Sequence, residues 1–109
     1  MTTELVISFE VDGLHFWPDA PEQYKEFGQP HRHLFRFRCW LPTTAINPSD
    51  RIIELFELRQ NTLKLIHDTF GDEPCNFKDY SCEGVAKWLK PFFSKVYVGE
   101  DDYFGAEVS

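Results

Sequence analysis

The chain is short of cysteine, of basic residues and of long apolar runs, and each shortage removes a class of protein. Its three cysteines, Cys39, Cys75 and Cys82, are odd in number and follow no paired spacing, so reduced thiols in a cytoplasmic setting are expected rather than a disulfide framework. Eleven Lys and Arg stand against eighteen Asp and Glu, a formal net charge of −7. Neutralising phosphates needs a basic surface, so no nucleic-acid partner is expected, and a highly anionic substrate would need a local convergence of cations. No run approaches the length of a membrane span, and Met1-Thr2-Thr3-Glu4-Leu5 has neither the basic nor the apolar region of a secretory leader. No membrane partner is expected. Internal repeats and low-complexity segments are also missing.

What is present fits one domain, residues 1–109, with a single core that is marginal for enclosing a deep cavity alone. Aromatic residues make up 17% of the chain, eleven of them Phe, which is ample material for a core or a subunit interface. Residues 4–11 put Leu5, Ile7, Phe9 and Val11 on one face of a strand, which Asp12-Gly13 ends. Pro18 to Pro30 reads as a loop. His31 to Leu41 is a second strand, with His31, His33, Phe35, Phe37 and Cys39 on one face and Arg32, Leu34, Arg36, Arg38 and Trp40 on the other.

Asn47-Pro48-Ser49-Asp50 supplies helix-start chemistry, and the stretch to Phe70 carries Ile52, Phe56, Leu63, Ile66 and Phe70 as an apolar stripe. Residues 71–80 form a loop. Ser81 can cap a second helix with Val85, Trp88, Leu89 and Phe92 on one face. Lys95 to Val98 is a third strand, Asp101-Asp102 a tight turn, and Tyr103 to Val108 a short fourth strand. The fold class is α+β, in the order ββααββ.

The residues that carry chemistry are histidines. A His-x-His pair at the mouth of a strand turns both imidazoles to one face, because strand side chains alternate. His15, at the end of the first strand, shares the parity of the core face. With His31 and His33 it would complete the three-histidine set that holds a catalytic zinc and leaves a fourth position open.

The whole pattern resembles the 6-pyruvoyl-tetrahydropterin synthase / 6-carboxy-tetrahydropterin synthase family, which has the tunnelling fold. His15 followed by His31-Arg32-His33 matches its metal histidine and His-Gly-His motif, with Arg32 in place of Gly. Ile52 to Arg59 looks like the start of its first helix, and His67 to Asp72 matches part of its Asp-His-x-x-Leu-Asn-Asp stretch. Ser81-Cys82-Glu83 stands where the family has Thr-x-Glu, and Val98-Gly99-Glu100 where a strand-end Glu grips the pterin ring.

The resemblance implies an antiparallel sheet with two helices on one face, assembled into an oligomeric barrel as a homo-oligomer (trimer or hexamer) with sites at subunit interfaces. It implies Zn²⁺ on His15, His31 and His33, a pterin- or purine-like ligand gripped by Glu100, and backbone contacts to that ring from Ser81 and Cys82 of a neighbouring subunit. A carboxylate suits such a ring, since it can accept two parallel N–H bonds from a 2-amino-pyrimidinone edge.

The departures are equally specific. The family's loop cysteine, about four residues before His-x-His, is here Phe27, which leaves Glu26 as the candidate general base. His67 matches the histidine of the family's Asp-His relay, but the Asp position is Ile66. A Gly-to-Arg change at position 32 could block close approach of a ligand.

The expected function is therefore a zinc-dependent pterin/deazapurine-type enzyme, lyase-like and of the kind used in queuosine-type pathways, with altered chemistry. A non-catalytic module that binds a planar purine- or pterin-like ligand between subunits is the alternative. A scaffold with vestigial sites is the third reading.

Overall fold

The computed structural model describes residues 3–109; Met1 and Thr2, where the reading of a missing leader begins, lie outside the described residues. The elements run β1 (Glu4–His15), β2 (His31–Pro42), α1 (Arg51–Phe70), β3 (Cys75–Asn76), α2 (Cys82–Leu89), β4 (Lys95–Glu100) and β5 (Phe104–Val108), with single 3₁₀ turns at Thr43–Ala45 and Lys90–Phe92 and a 3₁₀ segment kinked at Tyr24 over Glu22–Gly28. The class is α+β. The sheet order is β3-β1-β2-β4-β5.

The expected all-antiparallel sheet of four strands is corrected to a mixed sheet of five. β3, in the stretch read as loop, pairs parallel with Gly13 and Leu14 of β1. A two-residue strand has too little alternation to be read from its sequence.

Asp12-Gly13 does not end β1. The strand continues to His15, and Gly13 lies opposite His33 across the β1–β2 ladder. Gly13 is there for space: a Cβ on it would fall 2.5 Å from the Phe77 ring. Phe77, fully buried, packs edge-on against Phe35 with ring centroids 4.8 Å apart.

Both helices deliver buried residues to the inner face of the sheet: Ile66 and Phe70 from α1, Val85, Ala86 and Leu89 from α2. The other face of the sheet carries no helix side chains of that core and bears the arginines. α2 begins as expected, with Ser81 Oγ accepting the Gly84 N–H at 3.1 Å.

The α1 stripe holds only in its second half. Ile52 and Phe56 are 78% and 63% exposed, because the helix's first turns meet the core through Leu55 and Leu58 instead. Its start also differs from a simple cap: Asp50 makes no side-chain capping bond. Instead Asn47 Oδ1 accepts the Ser49 N–H at 3.0 Å, and Glu54 reaches back to the Asn47 N–H at 2.8 Å. Phe92, expected on the buried face of the second helix, sits exposed in the 3₁₀ turn that follows. Among the described residues, no helix is long and apolar enough to cross a membrane.

Candidate metal centre

The β1–β2 ladder sets His15 opposite His31, and His33 opposite Gly13, all on the inner face at one end of the sheet. The ring centroids of His15 lie 4.6 Å from His31 and 5.3 Å from His33, and those of His31 and His33 are 5.0 Å apart. One nitrogen from each ring falls within 4.8 Å of the others, a group that could hold a metal ion.

Each ring is turned by a hydrogen bond at Nδ1. His15 meets the Tyr80 carbonyl at 3.0 Å, His31 the Gln29 carbonyl at 3.0 Å, and His33 the Asp101 carboxylate at 2.9 Å. Carbonyl and carboxylate oxygens only accept, so Nδ1 is the protonated nitrogen and Nε2 carries the free lone pair in each neutral ring. Orienting a ligand imidazole through its second nitrogen is how metal histidines are held. The donor set, three neutral imidazoles, suits a borderline-soft divalent metal.

Glu100 closes the other side. It ends β4, pairs in register with Phe35, and points Oε1 at His15 Nε2 (3.2 Å) and Oε2 at His33 Nε2 (3.5 Å). Burial works against charge on His15, but Glu100 and the Tyr80 carbonyl outweigh it and raise its pKa above the ordinary imidazole value. The hydrogen bond to His15 holds Glu100 below the usual carboxylate range.

Asp101 is the residue that sequence reasoning missed. It occupies the left-handed region at φ 53°, which Asp tolerates better than most side chains. Its two oxygens take His33 Nδ1 and the Leu34 N–H, the latter at 3.1 Å. The His33 bond lowers its pKa, with the Leu34 N–H second. The only signal in the chain was a doubled acid just beyond a strand end, which also describes an ordinary turn.

A cavity of about 350 Å³ opens beside the cluster. It is lined by His31, His33, Glu100 and Asp101, and walled by Trp17, Phe27, Tyr103 and Phe104. Phe27, at the position where the resembling family carries a cysteine, sets its ring 5.6 Å from that of His31. Glu26 is exposed in the same 3₁₀ turn and is not among the lining residues.

His67 is not a lining residue either. Its buried Nε2 lies 3.4 Å from Glu73 Oε2 without hydrogen-bond geometry, while Glu73 Oε1 accepts the Asp12 N–H at 2.8 Å. A carboxylate thus accompanies His67 after all, from beyond the helix end; Ile66 is fully buried in the core.

Ser81 spends its hydroxyl on the α2 cap. Cys82 is buried against Glu100 of its own chain; burial first, then the Glu100 charge, push its thiol up to about 12. Burial likewise takes Cys39 to about 12 and Cys75 to about 11, so none of the three is a thiolate near neutrality.

Arg32 does not enter the site. It points to the opposite face and forms a two-armed pair with Asp12, Nε to Oδ1 at 2.7 Å. Arg36 is likewise committed, to Glu10 at 2.6 Å and Asp102 at 2.9 Å. Arg36 also lines, with Arg38 and with Arg59 of α1, a larger depression of about 890 Å³ that no histidine lines.

Compared with known proteins, the chain matches no family model and no curated protein.

Proposed function

We propose that the protein is a tunnelling-fold enzyme of the pterin/deazapurine type, akin to 6-carboxy-tetrahydropterin synthase but with altered chemistry, built on a zinc held by His15, His31 and His33. The observation that carries this reading is the convergence of His15, His31 and His33 on a group that could hold a metal ion, with His31, His33 and Glu100 lining an aromatic-sided cavity beside it. Zinc, when bound, would act as a Lewis acid on an oxygen substituent of the ligand. Phe27, Trp17 and Phe104 offer flat apolar surface to a planar ring. Glu100 offers the two acceptors that an N–C–N ring edge needs.

The non-catalytic alternative draws support from the same cavity. Neither Glu26 nor His67 lines it, so within one chain the acid–base groups beside a ligand would be Glu100, Asp101 and the histidines themselves. Self-association would bring further groups to the site. Ile52, Ile53, Phe56, Phe92, Tyr103 and Phe104 are each more than 60% exposed, and β3 covers only Gly13 and Leu14 of the outer edge of β1. Apolar surface of this kind and open edges both favour a homo-oligomeric barrel, a trimer or hexamer.

Elemental analysis of the purified protein and of a His31→Ala/His33→Ala variant tests the reading. About one zinc per chain, lost in the variant, is expected; no metal in either would sink it. A zinc-loaded protein that binds pterins without turning them over would favour the alternative.

A further inference from the structure

We infer that the depression lined by Arg38 and Arg59 is an anion site for a phosphate-class oxyanion, free or carried as an ester on a flat ring. The site lies outside the histidine cluster and does not rest on the metal reading.

The chain as a whole is acidic, so the local charges decide what this depression can hold. Glu10, Asp101, Asp102 and Glu107 line it together with Arg36, Arg38 and Arg59. Each of the four carboxylates is engaged. Glu10 and Asp102 hold Arg36 at 2.6 and 2.9 Å. Asp101 accepts from His33 and from the Leu34 N–H, and Glu107 is met at 3.8 Å by Lys95, which does not line the depression. Among the described residues, the arginines in ion pairs are Arg32 and Arg36. Arg38 and Arg59 are therefore left as two cations without carboxylate partners.

These two arrive from different elements at one residue. Arg38 stands opposite Ser8 in the β1–β2 register, and Arg59 of α1 donates Nε to the Ser8 carbonyl at 2.9 Å. That bond fixes one corner of the Arg59 fork and leaves its terminal N–H groups for a ligand. Guanidinium forks match the oxygens of a phosphate in pairs, and an oxyanion relieves the repulsion between two like charges gathered on one depression.

Trp40 and Tyr97 add flat surface to the same lining. Tyr97 stands opposite Arg38 on β4, and the tip of its ring lies over Gly99 and Gly105, where a Cβ would collide with it. The ring is thereby laid along the sheet beside the arginines, as stacking on a planar ester would require.

Calorimetric titration of EDTA-treated protein with inorganic phosphate and with adenosine monophosphate, at constant ionic strength, tests this. Wild type should bind phosphate with a dissociation constant of about 1 mM or tighter. Arg38→Ala and Arg59→Ala should each weaken binding by ~10-fold or more, with Arg38→Lys between the two extremes. Arg38 is exposed, so Arg38→Ala decides the matter even where Arg59→Ala fails to fold. Arg32→Ala, which removes a cation paired with Asp12 outside the depression, should bind within ~2-fold of wild type. Tighter binding of the monophosphate, lost in Tyr97→Ala, would identify the ligand as an ester; equal affinities would identify free phosphate. Absence of binding at about 10 mM phosphate, or an Arg38→Ala affinity equal to wild type, would overturn the site. So would loss of binding in His31→Ala/His33→Ala, which would move the anion to the imidazoles, whereas a metal-free wild type that binds phosphate would leave this site standing without the zinc.

Discussion

One face of the β1–β2 ladder has two ends of opposite character. At one end Ile7, Phe9, Phe37, Cys39 and Leu41 are buried, with Phe9 and Phe37 stacked at 4.9 Å. At the other, the same alternation on the same strands delivers His15, His31 and His33. Backbone geometry is common to both ends, so what differs is what each requires from the rest of the chain. The apolar end needs only surface to pack against, which α1 and α2 supply. The imidazole end needs a directed acceptor for each ring, and these come from three separate segments, at Tyr80, Gln29 and Asp101. Phe35 joins the two, buried against Phe77 at 4.8 Å and edge-on to His15 at 5.2 Å.

The sharpest way to break that comparison is to damage each end separately. Phe37→Ala removes a side chain only 1% exposed and should cost about 3–5 kcal/mol in urea denaturation, while the protein that remains folded still binds one zinc. His33→Ala, at a half-buried position, should change the stability of the metal-free protein by under ~1 kcal/mol and abolish tight zinc binding. If Phe37→Ala lost zinc while folded, the two ends would be one cooperative unit.

How much of this was legible in the chain follows the same division. Period-two alternation is a strong local signal, so both long strands and the shared face of the three histidines were readable before any coordinates. So was the Ser81 cap, a local bond spanning three residues. The orienting acceptors were not, because two of them are backbone carbonyls, which every residue possesses. Asp101 reaches His33 only through a turn at positive φ. Glu73 approaches His67 from beyond the end of α1, so a search for the partner next to the histidine finds only Ile66. The exposed Ile52 and Phe56 satisfy a helical period, but the first turns of α1 meet the core through Leu55 and Leu58, a choice of face that the period alone does not make.

A smaller effect probes the border between the two ends. α2 starts beside Glu100, with Ser81 capping it and Cys82 packed against the carboxylate. Ser81→Ala should cost about 1 kcal/mol, read as a lower urea midpoint, with the zinc stoichiometry unchanged. Loss of zinc from a folded Ser81→Ala protein would make the helix start part of the metal centre rather than its neighbour.

The smallest expected effect is the pH response, and its sign separates the ends most cleanly. The folded pKa of His15 is raised above its ordinary 6.5, so its pairing stabilises the metal-free protein fully below pH 6.5 and is lost as pH rises through the raised value. Glu100 is depressed below its ordinary 4.5, so its contribution is present above pH 4.5 and lost as pH falls through the lowered value. With EDTA present, the pair therefore contributes most between pH 4.5 and 6.5, and the urea midpoint should decline toward pH 8 by the equivalent of about 1 kcal/mol or less. Zinc reverses the trend, because the metal needs the deprotonated rings: its stabilisation should grow over the same interval. The apolar end contributes nothing that titrates in this interval, its Cys39 thiol being pushed up to about 12, so the metal-free slope should persist in Phe37→Ala and disappear in Glu100→Gln. A slope that survives Glu100→Gln would have to come from groups elsewhere in the fold, and the imidazole end would then be as indifferent to protons as the phenylalanines beside it.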